Sequence, residues 1–177
     1  MEHIGITQEV LHTAKIEKRQ LFILKLDLVK AFDRVNWTFL RLVLLQIGIL
    51  VLGVNWIMSY AESSNFSIPI NGSPTKFFPC SRGIRQGCPL SPLLFILTIE
   101  SLSLLVNQAH LESHIQGIKV SSSLHLTHLL FVDDVLLFGV GTIEEWKHFK
   151  ILLDLFCSTM GMSISKAKSS FLYNKLN

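Results

Sequence analysis

Leu21-Phe22-Ile23-Leu24-Lys25-Leu26-Asp27-Leu28 is apolar at every position except Lys25 and Asp27, which is the composition of a strand buried on both faces except near its end. With a period of two, Ile23, Lys25 and Asp27 share one face while Leu24, Leu26 and Leu28 point to the other. Such a strand needs neighbours and a covering layer, and the sequence downstream supplies both. Asn36 stands at a helix N-cap ahead of Trp37, Phe39, Leu40, Val43, Leu44 and Ile47, with Gly48 as the stop, so a helix of about three turns follows the strand. A shorter helix is expected from near Gly53 to Ala61. Phe66 to Ile70, the Asn71-Gly72 pair and the return from Thr75 to Phe78 read as a β-hairpin, because Asn-Gly tolerates the positive φ angles of a tight turn. Pro69 confines its first arm to an edge.

Beyond the loop Ser81 to Leu90, Ser91 can cap and Pro92 can occupy the first position of a long apolar helix reaching about Ala109. Leu126 to Phe131 and Val135 to Phe138 are two apolar runs hinged on Val132-Asp133-Asp134, a second hairpin. Thr142-Ile143-Glu144-Glu145 is a capping box opening a helix that Gly161 ends, and Ser163 to Tyr173 can supply one or two closing strands. The order of strand, helices, hairpin, helix, hairpin, helix and strand fits the α+β class. It predicts an antiparallel sheet with helices on one face around a split βαβ core. A chain of 177 residues is long enough for one domain with a real core, and one domain is expected.

Hydrophobic residues make up 49% and charged residues 16% of the chain, the latter below the roughly 25% typical of soluble proteins. Burial is assured, and the apolar excess points to partners or flanking segments. A net charge of +3 favours neither nucleic acid nor membrane, since a basic footprint is read from clustering. The end of the chain is the most lopsided, with Lys147, Lys150, Lys166, Lys168 and Lys175 against Asp154 from Trp146 onward. Cys80, Cys88 and Cys157 lack the even count and close pairing of zinc or disulfide frameworks, so they read as reduced thiols of an intracellular protein. Met1-Glu2-His3-Ile4 opens no basic and apolar secretory signal, and the sequence does not choose between nucleus and cytoplasm. Leu42 to Ala61 is uncharged over 20 residues, about the length of a bilayer span. Gln46, Gly48, Gly53 and Asn55 interrupt it, so no membrane partner is expected.

Asp27, Asp133 and Asp134 each interrupt an apolar strand, where a carboxylate is costly without a cation. Asp133 and Asp134 also suit a turn for reasons of backbone alone. Asp27, 106 residues before Asp133, tips the balance: if the strands are neighbours the carboxylates converge, and hard oxygen ligands suit Mg²⁺. Adjacent strand residues face opposite ways, so one of Asp133 and Asp134 is expected to join Asp27 directly and the other to play a smaller part. The matching chemistry is nucleotidyl or phosphoryl transfer with two ions roughly 3.5 to 4 Å apart. In Arg82-Gly83-Ile84-Arg85-Gln86-Gly87-Cys88-Pro89-Leu90-Ser91-Pro92, the glycines allow close backbone approach, Gln86 offers a donor and an acceptor, and Arg82 and Arg85 can meet phosphate. An ordinary connecting loop with surface arginines fits the same residues. Lys166 and Lys168 suit a solvated face, and His125 and His128 structural positions.

In this order the pieces resemble the reverse transcriptase domain of LINE-type (non-LTR) retrotransposons, particularly plant copies. Leu24-Lys25-Leu26-Asp27-Leu28-Val29-Lys30-Ala31-Phe32-Asp33 is similar to the family's first catalytic motif, Gly83 to Phe95 to its template and nucleotide loop, Phe131-Val132-Asp133-Asp134 to its aromatic-x-Asp-Asp box, and Gly161 to Ser169 to its lysine motif. The resemblance implies one polymerase palm domain over residues 1–177, with fingers mostly absent before Asp27 and no thumb after Lys168. It implies RNA-directed DNA polymerase chemistry with two Mg²⁺ ions, Mn²⁺ being a substitute. Asp27, Asp133 and Asp134 would hold the metal, with Lys168 near the leaving pyrophosphate. Phe32 would exclude a 2′-hydroxyl. Arg85, Gln86, Gly87, Pro92 and Val132 would contact nucleotide and template. Implied partners are an RNA template, a DNA primer, deoxynucleoside triphosphates and the flanking fingers and thumb of a longer polyprotein. Ser165 departs from the family's usual Asn. The fragment alone is expected to be inactive, and a non-catalytic remnant of a decayed element, retaining a nucleic-acid-binding palm, is the alternative.

Overall fold

A computed structural model describes residue 5 and residues 20–121 and 124–174; the opening Met1-Glu2-His3-Ile4 and Lys175 lie outside that range. The strands are β1 (Leu21–Asp27), β2 (Asn65–Phe66), β3 (Pro69–Ile70), β4 (Ser73–Pro74), β5 (Phe78–Pro79), β6 (Ile118–Lys119), β7 (His125–Leu126), β8 (His128–Phe131), β9 (Asp134–Gly139) and β10 (Ser170–Asn174). The helices are α1 (Ala31–Arg34), α2 (Trp37–Gln46), α3 (Val51–Glu62), α4 (Leu90–Leu111) and α5 (Ile143–Met160). The chain divides into two compact units, one of Met1–Val29, Leu102–Cys157 and Ser163–Asn177, the other of Lys30–Ser101 and Ser158–Met162.

The first unit is built on a four-stranded sheet of order β10-β1-β9-β8, antiparallel at every joint. Numbered along the chain, the four strands run 4-1-3-2. The first and second point the same way with the third between them, which is the expected split βαβ arrangement. Leu24 is opposite Leu137, and Leu137 opposite His128, so these share the face of Phe22 and Leu26. Helices cover that face: Phe22 meets Phe149 and Trp146 of α5 edge-on at 5.7 and 5.9 Å, and His128 Nε2 lies 2.9 Å from Ser103 Oγ of α4. On the other face, Leu21 and Ile23 are buried with Ile118 and Phe138. That cover stops at Ile23, and Lys25 and Asp27 next along the same face are partly exposed. The strand is thus dry on both faces for half its length and wet on one for the rest.

In the second unit, Asn36 Oδ1 accepts from the backbone N–H of Thr38 and Phe39, so α2 starts where its cap predicts. Gly48, at φ 89°, follows its end. The uncharged stretch Leu42 to Ala61 is broken between Gln46 and Val51 into α2 and α3, so no single helix spans it. The Asn71-Gly72 turn has φ of 49° and 82°. The hairpin around it is two short ladders, β3 with β4 and β2 with β5. Between them Thr75 and Ser67 divert the pairing: Thr75 Oγ1 accepts from Ile68 N, and Ser67 Oγ donates to Thr75 O.

The long helix α4 begins at Leu90, so Ser91 is not its cap but a buried residue of its first turn, and Pro92 falls where an N–H has no intrahelical partner in any case. Among the described residues α4 alone is long and apolar enough to cross a membrane. Its buried positions Leu94, Phe95, Thr98, Ile99, Leu102, Val106 and Ala109 recur every three or four residues, the stripe of a helix packed on a core.

Candidate active site

Asp27 ends β1 and is directly opposite Asp134 at the start of β9. Like charges facing each other across a ladder repel, and two lysines offset them. Lys25 Nζ is 3.1 Å from Asp134 Oδ2, and Lys168 Nζ is 3.9 Å from Asp27 Oδ2. Lys25 reaches Asp134 because it lies two residues before Asp27 on the same wet face. Lys168 arrives by a different route. The backbone N–H of Ser165 donates to Asp27 O at 2.9 Å, the N–H groups of Lys168 and Ser169 turn back to Ser165 O, and Asp27 N–H donates to Ser169 Oγ at 3.2 Å. A tight turn is thereby fastened to the backbone of Asp27, and Lys168 is part of it. Ser165, where the resemblance leads one to expect Asn, serves here through its main chain, which either residue supplies.

Asp133 lies in the turn between β8 and β9, exposed to solvent. Val132 before it has φ 53°, a strained value for a β-branched residue and one that lets two residues close the hairpin. Asp134, not Asp133, is thus the residue paired with Asp27 in the ladder, while Asp133 projects from the adjoining turn. Asp27 is only about one-fifth exposed, so its charge is held in a partly desolvated place. Among the described residues no group of three or more His, Cys, Asp or Glu side chains gathers as a metal cluster. The donor set fits Mg²⁺ in its chemistry: carboxylate oxygens opposed across one ladder, with a third carboxylate on the adjoining turn.

The remaining predicted residues belong to the second unit. The Phe32 ring is half-buried and stacks on the fully buried Phe95, centroids 4.6 Å apart and planes 16° from parallel. The loop after Ser81 is stapled to the segment following β1, with Gly83 N–H donating to Val35 O at 2.8 Å, Ile84 N–H to Phe32 O at 2.9 Å and Trp37 Nε1 to Gly83 O at 2.6 Å. Gly83 has φ 90°, and a Cβ there would lie 2.7 Å from the Asp33 carbonyl oxygen, so this close approach admits glycine only. Gln86 Nε2 donates to Asp33 Oδ1 at 2.9 Å. Arg85, Gln86, Gly87 and Pro92 are exposed, and Gly87, at φ 78°, has open space where a side chain would stand.

Lys25 and Ser169 are the site residues that sequence reasoning passed over. Lys25 carried a usable signal, a cation two residues from Asp27 on one face of a strand. Ser169 carried none, because nothing local ties its hydroxyl to a backbone group 142 positions away.

An antiparallel 4-1-3-2 sheet with acidic residues at the end of its central strand and at the adjoining hairpin is the palm of a nucleic-acid polymerase. The chain belongs to the reverse transcriptase (RNA-dependent DNA polymerase) family, which it matches over residues 1–177. It is 30% identical over 170 residues to the Pol polyprotein of the type-2 retrotransposable element R2DM of Drosophila melanogaster, covering 94% of this chain and 15% of that one. It is 52% identical over 66 residues to an uncharacterised mitochondrial protein of Arabidopsis thaliana, covering 37% of this chain and 54% of that one. Its fold is similar to that of apo telomerase from Candida tropicalis, with a TM-score of 0.69 at 15% identity, over 98% of this chain and 35% of that one. The chain thus spans a minor part of the polyprotein and about half of the plant protein. The resemblance to retrotransposon reverse transcriptases holds at the level of family and fold.

Proposed function

We propose that the chain is the palm of an RNA-directed DNA polymerase and that Asp27, Asp133 and Asp134 hold two Mg²⁺ ions, or Mn²⁺ in their place, for transfer of a nucleotide to a primer 3′-hydroxyl. The observation that carries this reading is the register pairing of Asp27 with Asp134 at the mouth of the Val132-Asp133 turn. When bound, the ions would offset the charge on the attacking and leaving oxygens. The chain's own residues do the rest. Asp27 and Asp134 would hold the ions in place of their lysine partners. Lys168 would then be available to the departing pyrophosphate, kept close by its turn. Phe32, braced on Phe95, presents a ring to the sugar and excludes a 2′-hydroxyl. Arg85, Gln86 and Gly87 offer a cation, an amide and an open backbone to nucleotide and template, with Pro92 shaping the helix start after them, and Val132 shapes the β8–β9 turn that carries Asp133.

The partners of this chemistry are an RNA template, a DNA primer and deoxynucleoside triphosphates. Holding them in line contributes roughly 7 to 11 kcal/mol of the barrier reduction. In polymerases of this kind fingers and thumb do much of that holding, so the 177 residues are proposed to be inactive without them. The alternative, a non-catalytic palm that still binds nucleic acid, draws on the two lysines that already neutralise the carboxylates. Primer extension on an RNA template separates the readings. The longer protein carrying this palm should extend the primer and lose the activity on Asp133→Asn. Extension unaffected by that change, or none from the longer protein, would refute the catalytic reading, and robust extension by the 177 residues alone would refute the dependence on other segments.

A further inference from the structure

Arg34, Arg41 and Arg82 come from separate stretches of the chain, yet all three line one cavity of about 450 Å³ within the second unit, a volume in the range that small ligands occupy. Its walls are tied together by backbone. Asn36 N–H donates to Met160 O at 3.2 Å and Gly83 N–H to Val35 O at 2.8 Å, and Trp37 Nε1 donates to Gly83 O at 2.6 Å. The segment carrying Arg82 is thereby fastened to the start of α2. The residues that line the cavity include none of Asp27, Asp133 and Asp134.

The lining sets three guanidinium groups against one carboxylate, that of Glu62. Arg41 gives both terminal nitrogens to the neutral Asn55 Oδ1, at 2.9 and 2.6 Å. That bond fixes its direction without offsetting its charge, and most of its N–H donors remain. Arg34 and Arg41 are half-buried, so salt screens them less than it screens surface charges. Like charges around one cavity repel, and an anion seated among them turns that cost into attraction. Thr38 and Ser81 add hydroxyls to the lining. The N–H groups of Thr38 and Phe39 are spent on the Asn36 cap, so the guanidinium groups, and not the helix end, do the recognising.

We propose that this cavity is a phosphate-binding site, independent of the metal proposed for the carboxylates, in which Arg34, Arg41 and Arg82 take a phosphate group of a nucleotide or of a nucleic-acid strand. Guanidinium suits that ligand, because its planar fork meets two phosphate oxygens at once where an ammonium offers only a point charge. Glu62 opposes the ligand by its charge and so sets how tightly the site holds it.

The test uses the full 177-residue chain in EDTA, so that no metal-bound phosphate contributes. Inorganic phosphate, adenosine 5′-monophosphate, adenosine and a short oligoribonucleotide without a terminal phosphate are titrated by calorimetry, while NMR follows the arginine Nε–H resonances. Phosphate and the monophosphate should bind and adenosine should not, and the resonances of Arg34, Arg41 and Arg82 should shift while that of Arg85 stays. Arg82→Ala should weaken phosphate at least about ten-fold, the usual worth of a charge-assisted hydrogen bond. Glu62→Gln should tighten it several-fold, and Lys147→Ala, which removes a cation of the first unit, should change nothing. Displacement of phosphate by the oligoribonucleotide would assign the site to the backbone of a strand and its absence to a free phosphate or nucleotide, and both support the site. No binding by the wild type, adenosine binding as well as its monophosphate, equal losses in Arg82→Ala and Lys147→Ala, or shifts confined to Arg85 would overturn it. The resonances are read on the wild type, whether or not a variant folds.

Discussion

Lys25 pairs with Asp134 in the fold and would compete with the ion proposed for the carboxylates. Its ammonium is 3.1 Å from Asp134 Oδ2, and both groups are about two-fifths exposed, so the pair itself is worth no more than about 1 kcal/mol. Its larger effect is on cations arriving at the carboxylates. A unit charge about 4 Å away in water is worth about 1 kcal/mol, or about five-fold in affinity. Lys25→Met should therefore bind Mg²⁺ several-fold more tightly, read by calorimetric titration, at little cost in stability. Weaker binding would mean that Lys25 orders Asp134 for the metal and does not compete with it. Phe32 poses a similar question of two roles. Its stack on Phe95 is what a core ring would show, yet it remains half-exposed. In a longer protein that carries this palm and extends a primer, Phe32→Ala should admit ribonucleotides while keeping most deoxynucleotide incorporation, measured as the ratio of kcat/KM for the two. An unchanged ratio would leave the ring with packing alone.

At the scale of elements, the start of α5 shows where local reading succeeds and where it stops. Thr142 Oγ1 accepts from Glu145 N–H at 3.3 Å, as the capping box predicts. The Glu145 carboxylate, however, does not close the box. It is 2% exposed and accepts from Gln116, Gly117 and Val140 N–H at 2.8, 3.0 and 2.6 Å, tying the segment before β6 and the end of β9 to the helix. Glu145→Ala strands three backbone donors, each costing on the order of 1–3 kcal/mol if left unmet. A loss above about 3 kcal/mol is expected in urea unfolding, and a loss below about 1 kcal/mol would show that water takes over the role. Features set by neighbours in sequence were legible: the Asn36 cap, the Asn71-Gly72 turn, the dry-to-wet change along β1 and the hinge read at Val132-Asp133-Asp134, of which Asp134 proves to open β9. Features set by remote backbone were not, among them the second life of Glu145, the fastening of the Ser165 turn to Asp27 and the burial of Ser91. Periodicity reports which face a side chain takes and is silent on which distant N–H will meet it.

For the whole molecule, element order gave the α+β class and the split βαβ core, because a short antiparallel sheet with two crossovers has few ways to close. The division into two compact units was not legible, since no linker or change of composition marks it. The carboxylates at the end of β1 and at the β8–β9 hairpin are proposed to form a metal site. A ligand bound only by the folded state raises stability as its occupancy grows, and an ion at this site would also relieve the repulsion between Asp27 and Asp134. The most direct measurement is the melting temperature of the chain with and without Mg²⁺ at constant ionic strength, for the wild type and for Asp27→Asn combined with Asp133→Asn. A small Mg²⁺-dependent rise in the wild type, absent from the double variant, is predicted. No rise in the wild type, or the same rise in both, would contradict it.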